Sequence, residues 1–163
     1  MIRKNKKAFD SQLCEQSDLP AKQVAVAVLS RFMGLRLVVP LEHQPERFKD
    51  WDFVMTDRDG NEIPIEVERS YAWDTHHFFP WQEAHLLERK FETKAKVLLV
   101  TNQHLNMCWV VPMARVFRCP LELRSTTYTR NELMRIIPAK WLQIYGTDEN
   151  GQWCLIQKAN WAE

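Results

Sequence analysis

Residues 52–68 constrain the fold more than any other stretch. Asp52-Phe-Val-Met-Thr-Asp57 and Asn61-Glu-Ile-Pro-Ile-Glu-Val-Glu68 flank Arg58-Asp59-Gly60, and two such runs around a glycine-containing turn read as a β-hairpin. A three-residue loop places its glycine at the third, left-handed position, which Gly60 fits if the loop is 58–60. Asp57 then faces Asn61 and Asp52 faces Glu66. In this register Phe53, Met55, Ile63, Ile65 and Val67 share one apolar face. A two-residue loop at Asp59-Gly60 would set Asp52 against Val67 and break that face, because a one-residue slip turns every side chain over. Pro64 cannot donate to a ladder, so a bulge or an unpaired edge is expected there.

Elements on either side extend the reading. Ser17-Asp18-Leu19-Pro20 resembles a helix start. Val24, Ala27, Val28 and Phe32 keep helical spacing, and Gly34 sits where a C-cap belongs. Residues 35–41 read as a strand ending near Pro40, followed by a polar loop from Glu42 to about Asp50. Pro80-Trp81-Gln82-Glu83 opens an expected second helix reaching Lys94, with Ala84, Leu87 and Phe91 inward. Lys96 to Thr101 is a buried-type strand, so Ile63 to Val100 forms a strand–helix–strand unit with parallel strands. Cys108 to Pro112 is another strand. Asn131 to Ile137 reads as a short helix capped by Thr129, and Trp141 to Tyr145 with Gln152 to Gln157 as a last hairpin. The expected fold class is α/β: one domain over 1–163, with a mixed central sheet flanked by helices. An αβββαβ core covers about 18–111, with a C-terminal extension over 112–163.

Composition narrows the function classes. A chain of 163 residues has room for one domain with a real core. Lys+Arg number 22 against 21 Asp+Glu, a net charge of +1, so bulk charge announces neither a nucleic-acid nor a membrane partner. Four glycines speak against a glycine-rich phosphate loop. No apolar run approaches the roughly 20 residues of a membrane span. The basic start, Met1 to Lys7, is read as a frayed arm, since no apolar stretch follows it as in a secretory signal. Cys14, Cys108, Cys119 and Cys154 lack metal or redox spacing and read as reduced packing residues of a cytoplasmic protein.

The order helix, three strands, helix, strand, with acids on the second and third strands, resembles the PD-(D/E)xK nuclease superfamily over roughly residues 20–101. The matching residues are Asp52, then Glu66-Val67-Glu68. Trp51 replaces the usual proline, and Glu68 stands where the lysine belongs. Some members of the superfamily carry Glu there, and some move the lysine to the following helix. The resemblance implies a Mg²⁺- or Mn²⁺-dependent endonuclease acting on nucleic acid, DNA more often than RNA.

The chemistry stands beside that resemblance. Phosphodiester hydrolysis needs transition-state charge neutralised and a water activated, and hard divalent cations on oxygen ligands serve both needs. Carboxylates opposite one another on neighbouring strands lie about 5 Å apart at the backbone and can share a cation. The expected metal ligands are Asp52, Glu66 and the Val67 carbonyl, with Glu68 as a further ligand or a general base. Lys90, ahead of Lys94, is the expected cation for the scissile phosphate. A local basic patch from Arg3, Lys4, Lys6 and Lys7 with Lys90, Lys94 and Lys96 is a further expectation.

The blander readings stay open: acids on a solvated sheet face, surface lysines, and an Arg69–Glu68 ion pair. His76, His77 and His85 fit no established metal spacing. Trp73 and Trp81 are either stacking platforms for unpaired bases or core and lid residues. The rival function is a non-catalytic binding or assembly module on the same fold.

Overall fold

The computed structural model describes residues 11–45, 50–125 and 130–161. The basic arm, the Thr129 cap and part of the loop before Asp50 lie outside them. Helix α1, Ser11–Met33, starts seven residues before Asp18 and holds Pro20 inside it rather than in its first turn. It ends as expected: Gly34 has φ +65, and the Leu35 amide reaches back to the Leu29 carbonyl at 3.3 Å. That bond passes over the left-handed Gly34, and both leucines are buried, so the helix end is closed by a backbone bond and an apolar contact.

Strands β1 (Phe53–Thr56) and β2 (Glu62–Arg69) pair antiparallel with Phe53 opposite Ile65, Val54 opposite Pro64 and Met55 opposite Ile63. This is the expected register. Gly60 has φ +83, and Asp57 Oδ1 accepts the Asp59 and Asn61 amides at 2.9 and 2.8 Å, which closes the loop. Pro64 causes no defect. The Lys96 amide donates to its carbonyl at 2.8 Å, and the ladder to the next strand starts one residue later, at Ile65.

The strands that follow are β3 (Glu83–Leu87), β4 (Val97–Thr101), β5 (Met107–Pro112), β6 (Leu121–Arg124), β7 (Glu132–Pro138), β8 (Gln143–Thr147) and β9 (Trp153–Gln157), with a four-residue α2 at Met113–Val116. A six-stranded sheet has the order β1-β2-β4-β5-β8-β9, and a three-stranded sheet the order β3-β7-β6. Only β2 and β4 run parallel; all other pairs are antiparallel.

The mixed central sheet stands; the helix-flanked α/β class does not. The protein is mainly β, with one long helix. On one face of the large sheet, Ala21, Ala25, Val28 and Leu29 of α1 pack on Phe53, Met55, Ile65, Val67, Leu99 and Val110. On the other face Leu98, Val100, Trp109, Val111 and Ile144 meet Ala84, Leu86 and Ile137 of the small sheet. The layers are therefore helix, large sheet, small sheet.

Each correction has a physical reason. The expected helix from Pro80 to Lys94 is β3 followed by a 3-10 turn at Glu88–Lys90. Its sequence also carries a period-two signal, with Ala84 and Leu86 buried between less buried neighbours, and pairing with β7 selects it. The expected helix from Asn131 to Ile137 is β7 itself, because it is sandwiched between β3 and β6 and gains ladder bonds on both sides.

Residues 35–41 make only one bridge, Arg36 to Thr56. Val38 and Val39 stay exposed, and the Gln44 amide closes on Val54, accepting its N–H at 2.8 Å and donating to its carbonyl at 3.0 Å. A side chain thus fills the sheet edge that a strand was expected to fill. Within the C-terminal extension, β8 pairs with β5 of the main sheet. Cys108, Cys119 and Cys154 are free thiols. No helix among the described residues is long and apolar enough to cross a membrane.

The α1 cap yields a test. A Cβ on Gly34 would lie 3.1 Å from the Arg58 Nε and force a left-handed alanine, which costs about 1–2 kcal/mol. Gly34→Ala should lower stability in urea denaturation by that order with the m-value unchanged.

Candidate functional site

The site forms where β1 stops and β2 continues. Regular pairing ends at Phe53, and Asp52 leaves the ladder instead of taking the place opposite Glu66. Its amide donates to the Ile65 carbonyl at 2.9 Å. Its Oδ2 accepts the Val67 amide at 2.7 Å, in place of the backbone carbonyl of a longer strand. The Val67 carbonyl leaves β2 on the same edge as its amide. Val67's side chain turns to the α1 face, so by alternation Glu66 and Glu68 turn to the other face.

Glu66 is 2% exposed. Its Oε1 is ion-paired with Lys90 Nζ, and its Oε2 accepts the Thr93 hydroxyl at 3.3 Å. Thr93 also donates to the Asp50 carbonyl at 2.9 Å and accepts the Ala95 amide at 3.2 Å. The Lys94 amide bonds that same carbonyl at 2.8 Å, and Lys94 Nζ lies 3.6 Å from Asp50 Oδ1. The chain before Asp52 and the chain after Lys90 are thereby tied around Glu66. Sequence reasoning missed Thr93 and Asp50, and no spacing in the sequence marks either.

Carboxylates outnumber cations around Glu66. Burial first, and the neighbouring Asp52 carboxylate second, raise Glu66 to about 7, against the pull of Lys90. Burial opposes the charge on Lys90, but Glu66, Asp52 and Glu68 together outweigh it and raise its pKa. The neighbouring carboxylates raise both groups, whereas burial raises Glu66 and works against the charge on Lys90.

Glu68 stands apart from this pair. Its Oε1 lies 3.6 Å from Arg89 Nη2, and among the described residues no three His, Cys, Asp or Glu side chains are grouped to hold a metal ion. The groups here that could serve a metal are the Asp52 and Glu66 carboxylates and the Val67 carbonyl. They suit Mg²⁺ or Mn²⁺, which take one or two carboxylates and fill the remaining positions with water and substrate oxygens.

The other candidates are dispersed. Lys94 is exposed and faces Asp50. Arg69 donates to the Gln103 carbonyl rather than to Glu68, at 3.0 Å from its Nε. His85 stands on β3, 3.8 Å from Glu83, whereas His76 stacks on His104 with centroids 4.0 Å apart. Trp73 is fully buried and Trp81 is 43% exposed. Comparison of the chain with protein-family models, with curated proteins and with solved structures finds no match.

Two predictions follow from this geometry. Glu66 binds its proton more tightly folded, at about 7, than its ordinary value of 4.5. Its contribution to stability is therefore complete below pH 4.5 and declines as pH rises toward 7. In urea melts, Glu66→Gln should remove that decline from the pH profile; a profile parallel to wild type would contradict it. Thr93→Val leaves buried acceptors short of a donor and should cost about 1–3 kcal/mol. Thr93→Ser should recover most of that loss.

Proposed function

We propose that the protein is a divalent-metal-dependent nuclease that hydrolyses phosphodiester bonds in nucleic acid, DNA ahead of RNA, through a site of the PD-(D/E)xK kind. One observation carries the reading: Asp52, Glu66 and a lysine amine meet at one edge of β2, with Lys90 paired to Glu66 and Asp52 acting on both. The lysine comes from the segment after the acidic strand, which answers for Glu68 at the usual lysine position.

Asp52 and Glu66, with the Val67 carbonyl, would hold Mg²⁺ or Mn²⁺. When bound, the ion supplies Lewis-acid neutralisation of the phosphate. Lys90, paired with Glu66 in this structure, would supply positive charge to a non-bridging phosphate oxygen, where charge grows during attack. Glu68, partly exposed beside Arg89, accepts the proton of the attacking water. Thr93 keeps Glu66 aimed.

A second reading, a non-catalytic binding or assembly module, draws on the same pair. Lys90 already neutralises Glu66, and Glu68 adds negative charge where a nuclease places a lysine. Two measurements separate the readings. Under the nuclease reading, millimolar Mn²⁺ raises the melting temperature, and Asp52→Asn and Glu66→Gln abolish the rise. Cleavage of plasmid, single-stranded DNA or RNA then falls about a hundred- to a thousandfold in Lys90→Ala, the usual loss on removing a group aimed at transition-state charge. Lys94→Ala changes little, as exposed substitutions do. An unmoved melting curve together with no cleavage by wild type selects the module.

A further inference from the structure

Among the described residues the exposed large aromatic side chains are Tyr71, Phe78 and Trp81, at 51%, 57% and 43%. All three stand on one segment, 70–82. The other strongly exposed large apolar residues are aliphatic and lie elsewhere. This segment leaves β2 directly after Glu68 and Arg69 and returns into β3, whose following turn supplies Lys90. Its two ends are therefore the two elements that build the carboxylate–lysine site.

The segment is held firmly. Trp73 is buried at its root, with Nε1 donating to Thr75 Oγ1 and the Phe78 carbonyl at 3.0 and 3.1 Å. The Gln103 amide donates to the Trp73 carbonyl at 2.8 Å. Phe79 meets Trp73 edge-on at 5.2 Å and Trp81 at 5.4 Å. A T-shaped contact takes at most one face of a ring, so Trp81 keeps a face for a ligand. The Arg69 guanidinium lies 5.2 Å over the Tyr71 ring, which places positive charge beside an aromatic plane.

We propose that this segment, which joins the acidic strand β2 to the strand that leads to Lys90, binds single-stranded nucleic acid, stacking unpaired bases on Trp81, Phe78 and Tyr71. The inference rests on the nuclease reading for the identity of the polymer. Exposed aromatic rings on an anchored backbone, with an arginine beside one of them and no large exposed aliphatic side chain, suit base stacking. Bases inside a duplex offer no free faces to such rings.

The test is fluorescence anisotropy in EDTA with labelled oligo(dT), oligo(U) and a DNA duplex of the same length. Wild type should bind at least one single strand more tightly than the duplex. Trp81→Ala and Phe78→Ala should each weaken that binding about tenfold, within the range for loss of one stacked base. Trp81→Phe keeps a ring and should retain most of the affinity. Leu123→Ala, an exposed apolar control on β6, should leave it unchanged. Equal or tighter duplex binding, aromatic variants that bind like wild type, or no binding to any probe would each overturn the proposal. Single-strand binding lost in the aromatic variants, with no metal-dependent cleavage, would sink the nuclease reading and leave this one standing. Cleavage of duplex indifferent to the aromatic variants would do the reverse.

Discussion

Strands β2 and β4 run parallel, and no tight turn can join two parallel neighbours. The connection needs about a dozen or more residues and must cross a face of the sheet. Here it crosses the face opposite α1, and everything of chemical interest rides on it: the aromatic segment, β3, Lys90 and Thr93. The crossover delivers Lys90 to Glu66, and it also makes the second layer, because β3 recruits β7 and β6. One pairing thus decides where the site lies and what covers the sheet.

Glu66 is the point of greatest electrostatic tension. A carboxylate that is 2% exposed and near Asp52 would be strongly disfavoured without Lys90, since an unpaired buried charge is costly. Replacing a buried ion pair by well-packed apolar side chains is often neutral or stabilising, so such pairs are poor devices for stability alone. A pair kept at that cost is what the proposed metal site, with Lys90 beside it, would use. The binding-module reading has to explain why this cost is kept.

Much of this was legible from residues 52–68 alone. The hairpin register follows from side-chain alternation and from one glycine in a left-handed turn, both local properties. The same alternation put Glu66 and Glu68 on one face. The step at Asp52 was not legible, because its departure from the ladder depends on its carboxylate taking the Val67 amide. The sequence offered Lys90 as a cation for the phosphate, on an expected helix; the structure pairs it with Glu66 from a 3-10 turn after β3. Its position along the chain mattered more than the secondary structure beneath it.

The sequence by itself determined the local elements: the Gly34 cap, the two Asp-X-X-Gly hairpin loops, the buried central strands and the acids of β2. Each depends on backbone conformation or periodicity within a few residues. Only the tertiary structure decided the state of 83–90 and 132–138. Ala84, Leu86 and Leu87 satisfy a helical and a strand period alike, and pairing with a partner distant in sequence breaks the tie. Long-range ladder bonds also decided that a small sheet, not a second helix, covers the far face. For the same reason Thr93 and Asp50 emerge as part of the site only in three dimensions: their role is a contact between segments that the sequence keeps far apart.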